Sequence, residues 1–315
     1  MKKETQGKKI AIIGATSHIA KGLIYNFCNR GEYELFLFAR SLDRLKNFLN
    51  NIGCNRIYSI KPFSEFNNNK YDVVINCVGI GDTAKQKDEI SSIFGLTEAF
   101  DSLILDYLKA HPKAFYINFS SGAVYGTDFS ASVDELTFSK WDINHITQDD
   151  YYGVAKLNAE VKHRSFANLN IVDLRVFGYF SRFIEFEAKF LMSEVISCVK
   201  NKKEFVTGPT NIVRDYVHPQ DLVSLIERCI DIRHLNNAYD VYSLKPITKF
   251  EILNYFSIRY GLKYVIEGGH ASLTATGNKE NYYSNNKRAQ AIGYSPQFTS
   301  LDSIIQESMA ILGAN

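Results

Sequence analysis

Cysteine is sparse here and unpaired in pattern. Cys28, Cys54, Cys77, Cys198 and Cys229 are scattered, odd in number and never form a Cys-x-x-Cys pair. That spacing argues against a disulfide framework and against a zinc site, so no metal is expected, and it favours a reducing compartment. Net charge is also small: a balance of +2 gives no electrostatic case for a nucleic-acid or membrane partner. No apolar stretch approaches the roughly 20 residues that cross a bilayer, and the run Ile10–Ile13 stops at Gly14 before it could act as a signal-peptide core. The expectation is a cytoplasmic protein. Internal repeats, low-complexity tracts and long flexible linkers are absent as well.

What is present reads as globular. The 315 residues are 45% hydrophobic and 22% charged, which suits one large domain or two intimate ones. Short apolar runs at 9–14, 34–39, 57–60, 71–78, 115–119 and 171–176 read as strands. Helical patterns lie between them at about 18–30, 42–51, 96–110 and from 151 onward. Strands alternating with helices imply right-handed crossovers and a parallel sheet covered on both faces. Beyond residue 177 the rhythm loosens. Helices are expected at about 185–200, 219–230, 248–260 and 301–312, with short strands at 204–206, 238–242 and 263–266. The expected organisation is a doubly wound α/β domain over 1–177 and a smaller α/β lobe over 178–315 that lends segments back to the first.

The chemistry concentrates between Phe115 and Lys156. The strand Phe115–Phe119 ends in Ser120-Ser121-Gly122-Ala123-Val124-Tyr125-Gly126. After a polar loop, a helix begins with Tyr152-Gly-Val-Ala-Lys156. Positions four apart share a helix face, so the phenol and the ammonium can share a site. A neighbouring cation is expected to lower the phenol's pKa. The Ser121 hydroxyl could then hold a substrate oxygen against it, which is equipment for moving a proton on and off a carbinol or ketone. A second such pair, Tyr283…Lys287, lacks a preceding strand that ends in serines.

Gly14-Ala-Thr16-Ser17-His18-Ile19-Ala20 sits between the first strand and the first helix. In a dinucleotide fold this turn brings a pyrophosphate against free backbone N–H groups and the helix dipole. Gly14 takes the first glycine position, and the small Ser17 and Ala20 stand at the second and third. The second strand ends Phe38-Ala39-Arg40-Ser41, with no acid at its tip and Arg44 close behind. An acid there would bind the ribose diol of NAD, whereas a guanidinium suits the 2′-phosphate of NADP. NADP(H) is therefore the expected cofactor, with NAD(H) the alternative. Asn76-Cys77-Val78-Gly79 should lie along the dinucleotide at the carboxyl edge of the sheet.

With these pieces in place, the chain resembles the extended short-chain dehydrogenase/reductase family, in its nucleotide-sugar epimerase, dehydratase and reductase branch. Gly14–Ala20 looks like that family's glycine loop. Ser120–Gly126 looks like its active-site serine strand, and Tyr152 and Lys156 match its catalytic pair. Leu174-Arg-Val-Phe-Gly178, Arg214-Asp-Tyr-Val-His218 and the stretch from Tyr283 to Tyr294 are similar to its substrate-lobe segments. The resemblance implies a Rossmann-type fold with Ser121, Tyr152 and Lys156 as catalytic residues. It implies a nucleotide-sugar substrate near Ser121, Gly122, Tyr152, Gly178 and Arg214, the arginine on the diphosphate, and a homodimer. Gly122-Ala123 stand where dehydratase members carry Asp-Glu, and Gly178 where many members carry an asparagine. The implied activity is NADPH-dependent reduction of a 4-keto sugar. The alternatives are an epimerase that retains NAD and a non-catalytic dinucleotide sensor.

Overall fold

The computed structural model describes residues 7–30, 33–54, 58–79, 92–188, 190–232, 234–268 and 279–313. The strand expected from Ile57 begins, within these residues, at Tyr58.

Seven parallel strands form one sheet: β1 (Lys8–Ile13), β2 (Tyr33–Phe38), β3 (Tyr58–Lys61), β4 (Val73–Asn76), β5 (Phe115–Ser121), β6 (Asn170–Val176) and β9 (Asn236–Val241). Their order across the sheet is β3-β2-β1-β4-β5-β6-β9. It reverses at β1/β4, the place where open α/β sheets leave a crevice for a ligand. Side chains alternate between two cores, as a strand period of two requires. Ile10, Ile12, Leu35, Leu37, Val73 and Ile75 face one apolar cluster, while Ala11, Ile13, Phe36, Phe38 and Val74 face the other.

Helices cover both faces. α1 (His18–Arg30) and α2 (Leu42–Asn51) bury Leu23, Phe27, Leu45 and Leu49 on the first face, joined by Leu222 and Ile226 of α6 (Pro219–Asp231). α3 (Ser92–Ala110) places Ile104 and Leu108 on the second face, and α4 (Tyr151–Arg164) packs beside it.

A separate cluster gathers Phe180, Met192, Val195, Ile196, Ile252, Phe256 and Ile304. It is built on α5 (Leu191–Asn201), α7 (Lys249–Tyr260) and α8 (Ser300–Leu312). Thr248 with Glu251 and Thr299 with Asp302 form capping boxes that start α7 and α8. Two small sheets complete this part. β7 (Phe205–Thr207) pairs with β11 (Tyr264–Ile266). β8 (Val213–Arg214) lies between β10 (Ile247–Thr248) and β12 (Asn281–Tyr282).

One expectation is corrected outright. Cys28 and Cys54 are joined in a disulfide, with Cα atoms 5.5 Å apart. The pairing is invisible in the spacing because α1 and the end of α2 meet on the same face of the sheet. The other three thiols are free. Among the described residues, no helix is long and apolar enough to cross a membrane.

Candidate active site

The site begins where β5 ends. Ser121 caps the short turn Gly122–Tyr125, and its hydroxyl oxygen accepts the N–H of Ala123 at 3.2 Å. A Cβ on Gly122 would stand 2.4 Å from the ring of Phe177, so the turn fits only without one. α4 then approaches this turn closely. A Cβ on Gly153 would meet the Ala123 carbonyl oxygen at 2.5 Å, so the glycine beside Tyr152 sets how near the helix can come.

The buried Lys156 ammonium donates to the Phe119 carbonyl at 2.8 Å and lies 5.9 Å from the centre of the Tyr152 ring. An ammonium carries three donors. The Phe119 bond is the one hydrogen bond of Lys156 among the described residues, which leaves two N–H groups for a ligand. Burial lowers its pKa, opposed chiefly by the charges of Asp173 and Asp101. The Tyr152 phenol does not behave as the sequence suggested. Burial raises its pKa, and the compensating influence is a hydrogen bond with Ser121 rather than the charge of Lys156. The reason is geometric: the ammonium is held over toward β5 by Phe119.

The dinucleotide positions fall along the same edge. Gly14 has φ +78, and a Cβ there would lie 2.9 Å from the Cys77 carbonyl carbon. Its N–H and that of Ala15 both donate to the Phe38 carbonyl, at 3.0 and 2.9 Å. Ser17 caps the start of α1, accepting the Ala20 N–H at 3.4 Å, and Thr16 is half-buried beside it. Ile19 packs on the core. The His18 ring turns away toward the C-terminal part, with Nε2 2.9 Å from the Ser181 hydroxyl and Tyr179 packed edge-on. Burial lowers its pKa to about 4, so it is neutral.

Cys77 is buried, which pushes its thiol pKa up, and the Val78 N–H donates to Asn76. A Cβ on Gly79 would sit 3.8 Å from Lys156 Nζ, which brings the end of β4 against the lysine. Gly14, Cys77, Gly79, Lys156, Tyr152 and Ser121 thus form one continuous line of contacts. Arg40 is exposed, Ser41 caps α2, and the mostly exposed Arg44 points at Glu185, 3.8 Å away.

On the substrate side, the buried Arg214 donates through Nη1 to the carbonyls of Val213 and Lys279, at 2.8 and 2.7 Å. Lys279 lies over the Phe129 and Tyr282 rings, and its pKa falls to about 8 through burial and the adjacent Arg214. Gly178 is a close backbone approach: a Cβ there would be 2.5 Å from the Asp215 carbonyl oxygen. His218 caps α6, and Asp221 accepts the N–H groups of Gln297 and Phe298.

Sequence reasoning missed Tyr282. Its hydroxyl lies 3.0 Å from Ser121 Oγ, placed there because β12 pairs with β8 with Tyr282 opposite Arg214. The available signal was alternation, which makes only one of the neighbours Tyr282 and Tyr283 point inward. Lys287, once a candidate partner of Tyr283, instead caps the Tyr242 ring at 3.6 Å.

No curated protein matches the chain. Among solved structures it is similar to a UDP-glucuronic acid 4-epimerase from Bacillus cereus, at 18% identity over 96% of this chain and 98% of that one, with a TM-score of 0.77. A UDP-glucose 4-epimerase from Stenotrophomonas maltophila with bound NAD matches at 15% identity, 96% and 97% coverage and TM-score 0.79. A dTDP-glucose 4,6-dehydratase from Bacillus anthracis in complex with NAD matches at 15%, 96%, 95% and 0.75. At these identities the likeness speaks for the fold. A family model for the NAD dependent epimerase/dehydratase family matches residues 10–243. The chain belongs to that family.

Proposed function

We propose that this protein reduces a keto group, at C4, of a nucleotide-linked sugar with NADPH. The observation that carries the reading is the convergence of Ser121, Tyr152 and Lys156 beside the Gly14 loop and the end of β4. These residues fit a nicotinamide dinucleotide: Lys156 has two donors to offer a ribose diol, and the turn at Gly14 opens onto the start of α1. When bound, the nicotinamide supplies the hydride for the carbonyl carbon. Tyr152 gives its proton to the carbonyl oxygen, so the ketone gains one hydride and one proton and becomes a carbinol. Ser121 donates a hydrogen bond to the same oxygen, and Lys156 orients the ribose. Arg214 and Lys279 offer positive charge to the substrate diphosphate.

Two features favour a reductase. Gly122 and Ala123 supply no carboxylates after the serine, so water elimination lacks its acid and base. No acid stands at the tip of β2, and the guanidiniums of Arg40 and Arg44 follow it in sequence, a composition that suits a 2′-phosphate better than a ribose diol. The second reading is a nucleotide-sugar epimerase that keeps NAD. It is favoured by the family and by the NAD named in all three of the matching structures described above.

Releasing and weighing the cofactor of the purified protein separates them. Exchangeable NADP, with NADPH consumed on a nucleotide-linked 4-keto sugar, supports the reductase. Retained NAD supports the epimerase. No turnover of any nucleotide sugar in either assay overturns both.

A further inference from the structure

Ser121 and Tyr152 come from different elements, and the ties between those elements decide how they face each other. Tyr152, Lys156 and Glu160 stand four apart and share one face of α4. The Lys156 bond to the Phe119 carbonyl, at 2.8 Å, sets how far the helix stands from β5. A single point still lets a helix turn about it. Glu160 supplies the second point: its carboxylate accepts the hydroxyl of Ser120, the neighbour of Ser121, at 2.5 Å.

The group that holds Glu160 in place is Arg175. Ser120, Arg175 and Asp240 lie in register across β5, β6 and β9, one rung before that of Ser121. A guanidinium has only donors, so the direction of its bonds follows from chemistry. Arg175 donates through Nε and Nη2 to Glu160, at 3.0 and 2.6 Å. Through Nη1 it donates to the Tyr125 phenol oxygen at 2.7 Å. Tyr125 ends the short turn that Ser121 caps, and its phenol in turn reaches the Asp240 carboxylate, 3.0 Å away. One planar cation therefore holds α4 with one edge and the Ser121 turn with its remaining nitrogen.

We propose that Arg175 is a positioning residue: by bridging Glu160 and Tyr125 it fixes the angle at which Tyr152 and Lys156 face Ser121. The proposal rests on the roles given above to those three residues. Glu160, Asp240 and Tyr125 are all buried. Buried ion pairs add little net stability over apolar residues of similar volume, so a rung of this kind counts chiefly through the geometry it imposes. Lysine cannot impose it, because an ammonium is a point charge without a fork.

Arg182 provides a matched control. It donates through Nε and Nη2 to Glu307 on α8, at 3.0 and 2.8 Å, and among the described residues it bonds to nothing on α4 or β5. Arg175→Lys and Arg182→Lys each keep the charge and lose a fork. Tyr125→Phe removes one arm of the bridge, keeps the ring and serves where Arg175→Lys fails to fold. The readouts are Tm, kcat, KM and the Tyr152 ring-carbon NMR signal in tyrosine-labelled, cofactor-loaded protein, assigned by its loss in Tyr152→Phe. In Arg175→Lys the Tyr152 signal should move, and kcat should fall about tenfold or more with KM within about twofold, since a misplacement of about 1 Å is worth about a hundredfold. Tyr125→Phe should give the same two changes, smaller. Arg182→Lys, for a comparable loss of Tm, should leave the Tyr152 signal in place and kcat within about twofold of the parent.

A Tyr152 signal that stays in place, or a kcat within about twofold of the parent, in a folded Arg175→Lys protein overturns the proposal; where that variant does not fold, the same result in Tyr125→Phe does so. The same two changes in Arg182→Lys overturn it as well, because the effect then follows stability alone. If the parent turns over no nucleotide sugar, a Tyr152 signal that moves in Arg175→Lys and not in Arg182→Lys upholds the positioning and sinks the proposed function alone.

Discussion

Lys156 Nζ donates to the carbonyl of Phe119 at 2.8 Å, tying the helix that carries the tyrosine to the strand that carries the serine. Phe119 precedes Ser121 by two residues on β5, and Gly153 lets α4 sit directly on the turn that follows. One hydrogen bond and one missing Cβ therefore fix the separation of three side chains drawn from two elements. The lysine is a strut for the site before it is a ligand for anything.

The two roles predict different damage. Tyr152→Phe removes a proton donor and nothing structural. Turnover should fall at least a hundredfold, the usual worth of a general acid, with cofactor content unchanged. Lys156→Met removes the strut as well, so both cofactor retention and Tm should fall. Steady-state kinetics, cofactor content and thermal melts check both. A Tyr152→Phe variant with normal turnover would remove the proposed proton donor.

Gly14→Ala should be costly for a backbone reason. The residue has φ +78, and its new Cβ would lie 2.9–3.0 Å from backbone atoms of Cys77 and Val78, which cannot rotate away. A destabilisation of about 1–3 kcal/mol is expected from the strained conformation, along with reduced cofactor retention as the turn shifts. A melt within about 1 °C of the parent, with full cofactor content, would contradict this account.

How much of this was legible in advance follows from how local each feature is. The Gly14 turn, the strand–helix alternation and the Tyr152/Lys156 spacing are encoded within a few residues each, and all are where the sequence put them. Tyr282 was not legible, because its partner lies 161 positions earlier and the two meet through a two-residue strand whose register depends on the packing of β8. The direction of the Tyr152 shift was misread for a related reason. Helical spacing places a lysine near a tyrosine, but it does not say that a carbonyl from another element will hold the ammonium. Asp101, His163 and Asp173 are separated by 62 and 10 positions, so no local pattern joins them, yet they form one buried cluster across α3, α4 and β6.

The disulfide offers another test. Cys28 and Cys54 close a loop of sequence separation 26, and a cross-link of that size stabilises by about 3 kcal/mol when the gain lies in the unfolded chain. Reduction, or Cys28→Ser, should lower Tm by several degrees without reaching the site, because the bridge ties α1 to the end of α2 and not to β5. Counting free thiols before and after reduction, alongside the melts, checks it. An unchanged Tm after two thiols are released would argue that the bridge contributes nothing.

Two histidines should shape the pH dependence of stability from opposite sides. His163 is fully buried, with Nε2 2.6 Å from Asp101 and Nδ1 2.8 Å from Asp173. Both ring nitrogens face carboxylates, so both must donate and the ring must be charged. Burial alone would lower its pKa, but the two carboxylates outweigh that and raise it to about 9. A group raised above its unfolded value of 6.5 stabilises fully below 6.5 and stops doing so as pH climbs through 9. His18 runs the other way. Burial holds it near 4 against 6.5 unfolded, so its neutral form suits the fold above 6.5, and acid then favours the unfolded chain down to about 4. The acid penalty is at most about 3.5 kcal/mol at one unit per 1.36 kcal/mol. Denaturant melts from pH 4 to 10 should therefore show, from these two groups, a maximum near pH 6.5 that falls away on both sides, and His18→Gln should flatten only the acid side. Histidine NMR should find one imidazole still protonated at pH 8; if every ring is neutral there, His163 does not hold its charge between Asp101 and Asp173.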